Sequence, residues 1–149
     1  MEIYEAATGR LIGRPDGLQK ITDADFTTDS RWLLVSRKPA RRGQVGETTV
    51  WALSPWHRLP QTWIGKIAVS PDSHWLAGFT EGVLEIRDMT KGVRTATLLA
   101  EGISSAIVFS TDGNLLANRA MGSKLVSIWH VPTHSELCFH NRTWHKKPT

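Results

Sequence analysis

The strongest constraint on what this chain can fold into is a ten-residue stretch that occurs three times, at a period of about 40 residues. The copies are Asp25-Phe-Thr-Thr-Asp-Ser-Arg-Trp-Leu-Leu34, Ala68-Val-Ser-Pro-Asp-Ser-His-Trp-Leu-Ala77 and Val108-Phe-Ser-Thr-Asp-Gly-Asn-Leu-Leu-Ala117. Each reads as an apolar strand end, a tight turn centred on Asp29, Asp72 or Asp112, and a second apolar strand. An aspartate in such a turn accepts hydrogen bonds from the backbone just ahead of it, so the pattern is a hairpin signal with a mechanism. The sequence therefore predicts a repeat protein of hairpins.

A second element recurs downstream of each hairpin: a β-branched residue, then a large or long side chain, then a turn. It covers Glu2-Ile3-Tyr4-Glu5, Val50-Trp51-Ala52-Leu53, Glu85-Ile86-Arg87-Asp88 and Ser127-Ile128-Trp129-His130, four copies against three hairpins. The hairpin aspartates are 43 and 40 residues apart, which matches a unit of four short strands and three turns. Each repeat is expected to be one small antiparallel sheet in an all-β protein.

The run Ser70-Pro71-Asp72, Trp75-Leu76-Ala77, then Glu85-Ile86-Arg87-Asp88-Met89-Thr90-Lys91-Gly92 resembles a blade of the WD-repeat β-propeller family. The Trp-Asp dipeptide that names the family falls on Tyr4-Glu5, Trp51-Ala52, Arg87-Asp88 and Trp129-His130, so no copy is intact. The Gly-His pair expected ahead of each first strand is replaced by Ile64-Gly65-Lys66 and Glu101-Gly102-Ile103. The resemblance runs from Glu2 to about His140. It implies antiparallel four-stranded blades, and it implies little about chemistry, because the motif residues are mostly structural.

On this pattern residues 1–19 supply the two outer strands of a half blade. Complete blades follow at 20–64, 65–100 and 101–140, and 141–149 form a tail. Three and a half blades make an incomplete, open propeller, since closure takes about 4–8 blades. The chain is expected to be a fragment, a truncated product or a segment of a larger propeller, with self-association into a closed ring as the alternative.

Composition is that of a water-facing β domain, with 40% hydrophobic and 21% charged residues. No apolar run reaches the ~18 residues of a membrane span, and the start lacks the pattern of a signal peptide. A single cysteine, Cys138, rules out an intrachain disulfide and fits a reducing compartment. The expected location is cytoplasmic, with no membrane partner.

Seven tryptophans are many for this length, and the repeat explains four. Trp32 and Trp75 share a hairpin position with Leu115, while Trp51 and Trp129 share one with Tyr4 and Arg87; bulky rings in register read as packing between stacked sheets. Trp56, Trp63 and Trp144 fall outside the register and are the candidates for a partner surface. The net charge of +4 is concentrated at Arg37, Lys38, Arg41 and Arg42, a loop between the second and third strands of the first blade. In the proteins this chain resembles, such loops lie on the face of the central channel opening, where peptides dock.

His134, Cys138, His140 and His145 are close in sequence but match no zinc spacing, so no metal site or cofactor is expected. No nucleophile elbow, phosphate loop or dinucleotide fingerprint is present. The expected function is a non-enzymatic scaffold for protein partners. The alternatives are nucleic-acid or anionic-ligand binding through loop 37–42, and a regulatory domain of a larger signalling enzyme.

Overall fold

The computed structural model describes residues 1–16, 19–39, 41–98, 100, 102–133 and 135–138. Its regular elements are all strands. β1 (Ile3–Tyr4) pairs with β2 (Leu11–Gly13). Three antiparallel meanders follow: β3 (Ile21–Phe26), β4 (Trp32–Arg37), β5 (Glu47–Leu53) and β6 (Trp56–Arg58); β7 (Trp63–Val69), β8 (Trp75–Thr80), β9 (Val83–Asp88) and β10 (Val93–Leu98); β11 (Ser104–Phe109), β12 (Leu115–Ala120), β13 (Ser127–His130) and β14 (Ser135–Cys138). Glu47 pairs with Ile64 and Thr48 with Trp63, so the start of β7 continues the first meander before the chain enters the second.

The three hairpins repeat one hydrogen-bond scheme. In the first, Thr27 Oγ donates to Asp29 Oδ1 at 2.6 Å, Arg31 N to the same oxygen at 3.1 Å, and Trp32 N to Thr27 Oγ at 3.1 Å. Ser70, Asp72, His74 and Trp75 make the same set in the second, and Ser110, Asp112, Asn114 and Leu115 in the third. The residue after each aspartate, Ser30, Ser73 or Gly113, takes the left-handed conformation that closes such a turn.

Asp88 performs a related task at the β9–β10 turn. Its Oδ1 accepts from Thr90 N (2.9 Å), Thr90 Oγ (2.6 Å) and Lys91 N (3.0 Å), and Oδ2 lies 3.5 Å from His74 Nε2. Burial opposes ionisation of Asp29 and Asp88, yet these donors outweigh it and hold both carboxyls at about 2. The Ser110 hydroxyl and Asn114 bring Asp112 to about 2 as well, and the Ser70 hydroxyl lowers Asp72. A carboxyl lowered on folding stabilises above its unfolded value, near 4, and loses that contribution as pH falls through the folded one. The urea midpoint is therefore expected to drop between about pH 4 and pH 2, less steeply in Asp88→Asn; a midpoint constant down to pH 2 contradicts this.

The apolar core is divided among the interfaces between successive sheets. Ile3, Leu33, Val35 and Trp51 join β1–β2 to the first meander. Val50, Leu59, Trp63, Leu76 and Met89 join the first to the second. Ala77, Phe79, Leu84, Ile86 and Leu98 meet Phe109, Leu116, Trp129 and Val131 between the second and third. The first and second meanders thus each bury one face on the sheet before and the other on the sheet after, the arrangement of stacked repeats.

Among the described residues, nothing covers either end of the stack. Phe26 occupies the register position of Val69 and Phe109, but it is 55% exposed against 8% for Phe109, because β1–β2 has no inner strands to cover it. At the other end Val108, Leu115 and Leu137 are exposed, and Val126 is 42% exposed where its counterpart Leu84 is fully buried.

Candidate functional site

The connection from β4 to β5 carries the cation cluster, and its root is fixed by strand register. Arg37 and Glu47 are the last pair of the β4–β5 ladder, and Arg37 Nε donates to Glu47 Oε2 at 3.1 Å. Arg37 was expected among the free loop cations; as a strand residue facing Glu47 it is neutralised instead. Lys38, Arg41 and Arg42 are exposed and make no ion pair among the described residues. The loop is tied down by Lys38 N to Lys20 O (3.0 Å), a turn from Gln44 N to Arg41 O (3.3 Å), and Gly65 N to Gly46 O (2.7 Å).

Beneath this loop lies a recess of about 340 Å³ to which all three meanders contribute. Thr22, Val45 and Gly46 come from the first, Gly65 and Lys66 from the second, and Ser104, Ser105 and Met121 from the third. Gly65 is required here, because its φ is +78° and a Cβ would sit 3.1 Å from Ile103 Cγ2 and 3.3 Å from the Ser104 carbonyl. β3, β7 and β11 are the first strands of their meanders, and β7 lies against β11, so the recess opens where these first strands come together. A smaller hollow of about 100 Å³ adjoins it, lined by Asp23, Asp25 and Lys66 among others.

The tryptophans expected at a partner surface are placed elsewhere. Trp63 is fully buried between the first two meanders, its ring lying where a Cβ at Gly78 would come within 2.5 Å. Trp56 is half-buried, stacked on Trp51 at 5.2 Å with its ring against Gly13. Both are packing residues, because each fills the space left by a glycine, Trp56 that of Gly13 on the neighbouring sheet and Trp63 that of Gly78 on the adjacent strand. Trp144, His134, His140 and His145 lie outside the described residues, as does the Cys138 side chain; no metal-binding group is found among the described ones.

The sequence reading missed Val45, Lys66, Ser105 and Met121. For Lys66 a signal existed: aligning the first strands puts it level with Asp23 and Ala106, and all three are exposed. The others belong to loops and strand ends whose meeting depends on the three-dimensional stack.

No family model matches this chain. Over 113 residues, 73% of its length, it is 39% identical to an uncharacterized WD repeat-containing protein of Synechocystis, and that stretch is 31% of the relative. Its fold matches the WD40 repeats of RRP9 with a TM-score of 0.59 at 17% identity, covering 83% of this chain and 39% of that one. It also matches Kuenenia stuttgartiensis hydrazine synthase with a TM-score of 0.58 at 15% identity, covering 85% and 38%. The chain thus spans about a third of the length of its curated relative.

Proposed function

We propose that this chain, a partial WD-repeat β-propeller, is a non-enzymatic interaction segment that presents the β4–β5 loop face to a protein partner. The observation that carries this reading is the loop itself: three exposed cations without ion pairs among the described residues, on a backbone anchored at both ends whose Val45 and Gly46 line an open recess. A loop pinned in this way loses little conformational freedom on binding, which favours recognition. The exposed faces at Phe26 and at Val108 to Leu137 are covered, on this reading, by further blades of a longer polypeptide, as the greater length of the Synechocystis relative suggests. A cytoplasmic location is part of the same proposal.

Binding of single-stranded nucleic acid is the weaker alternative. It needs aromatic faces beside the cations on which bases can stack. Trp56 and Trp63, the rings that would have served, are packed between sheets. The test is affinity capture from a lysate with the unaltered chain and with Arg41→Ala/Arg42→Ala. A specifically retained protein is expected to be reduced about tenfold by the double substitution, and more at low salt than at high. Undiminished retention contradicts the proposal, and retention that disappears with nuclease treatment favours the alternative.

A further inference from the structure

We propose that the recess under the β4–β5 loop accepts the apolar side chain of an acidic peptide, with the loop cations pairing with carboxylates on either side of that anchor. This rests on the loop face being an interaction surface, and adds the chemistry of what it binds.

Two properties of the recess lead to this partner. Most of the surface it exposes is apolar: Val45, Gly46, Gly65 and Met121 lie among polar lining residues that include the Arg37–Glu47 pair, and Met121 is more than half exposed and claimed by no core cluster. A volume of about 340 Å³ is at the small end of ligand pockets, suited to one side chain rather than an extended cofactor. An unbranched thioether at the entrance adapts its shape to the group that enters.

The charged groups have the opposite character. Lys66 lines the recess, and Lys38, Arg41 and Arg42 lie on the loop that also supplies Val45 and Gly46; all four are exposed without ion pairs among the described residues. Of the acidic groups nearby, Glu47 is taken by Arg37, and Asp23 and Asp25 line the adjoining hollow together with Lys66 but form no ion pair with it; Asp23 Oδ1 accepts from its neighbour Ala24 N at 3.0 Å. An apolar socket partly walled by a loop with a cationic excess is complementary to an apolar residue within an acidic stretch. A purely acidic ligand leaves the socket empty, and a purely apolar one leaves the cations unused.

The test uses fluorescence anisotropy on the full chain with three labelled probes: a twelve-residue Asp/Glu peptide with a central leucine, the same peptide with serine at the centre, and an oligo-dT of equal charge. The leucine peptide is expected to bind at least about tenfold more tightly than the serine peptide, the worth of one buried apolar side chain. Met121→Asp should remove that difference, and Arg41→Ala/Arg42→Ala should weaken both peptides. Val45→Ser, a smaller change at the opposite wall, serves as a second variant should Met121→Asp fail to fold. Equal binding of the two peptides overturns the inference, as does tighter binding of oligo-dT. A photo-crosslinker at Gln44 separates the two levels of the argument. If it captures a protein from lysate while neither peptide binds, the inference falls and the loop-face reading stands; if it captures none and neither peptide binds, both fall.

Discussion

Replacing Trp63 by alanine is expected to lower the stability of the fold by about 3–5 kcal/mol, the usual cost of removing a large aromatic side chain from a packed interior. Trp63 is fully buried among Val50, Leu59, Leu76 and Met89, where the first and second sheets meet. Its indole N–H has no hydrogen-bond partner among the described residues, so the loss is one of packing. The ring is also the reason for Gly78, since any Cβ there would lie 2.5 Å from Trp63 Cδ1 and 2.7 Å from Ile67 Cγ2. Urea denaturation followed by far-ultraviolet circular dichroism measures the change. A loss below about 1 kcal/mol would show that Trp63 is solvated and that the two sheets are not stacked as described.

A second large effect is expected at Glu85, a 1% exposed carboxylate on the face of β9 that meets the first sheet. Its Oε1 lies 3.2 Å from Arg87 Nε, and Arg87 is itself buried. Glu85→Ala leaves a guanidinium in a poorly solvated place, which typically costs about 3–5 kcal/mol. The lower end applies, because Arg87 keeps its 2.7 Å bond to the Gly92 carbonyl. The first sheet solves the same position with different chemistry: Trp51 takes the place of Arg87, and its Nε1 donates to Thr49 Oγ at 3.2 Å. Two buried charges exchanged for that neutral pair should restore the fold, so Glu85→Thr/Arg87→Trp is expected to return to within about 1.5 kcal/mol of the unaltered chain. A double variant as unstable as Glu85→Ala would mean that the second sheet needs the charges themselves.

How much of this was readable in advance follows from the range over which each determinant acts. The hairpins were legible because Asp29, Asp72 and Asp112 find their partners within three residues, so turn chemistry alone fixes them. The packing role of Trp32, Trp51, Trp75 and Trp129 was legible because one register recurs. Trp63 was not, since it stands where β7 leaves the ladder of β5, with a register shift between Ile64 and Ile67, and no other repeat carries a ring at that irregularity. The place of Trp56 against Gly13 depends on a residue 43 positions away that gives no local sign. Arg37 looked like a loop residue because nothing in the sequence tells where β4 ends, and only the pairing with Glu47 does. The recess was the least legible feature, assembled from residues 22 to 121 by the stacking of three sheets.

The central claim is that partners meet this chain at the loop face, while its apolar end faces belong to the stack. Hydrogen-exchange footprinting of the chain in complex with its captured partner tests this most directly. The account predicts added protection at 41–48, 65–66, 104–105 and 121, with little change in the segments that hold Val108, Leu115 and Val126. Protection confined to the latter would place the partner on the open sheet face and contradict the account.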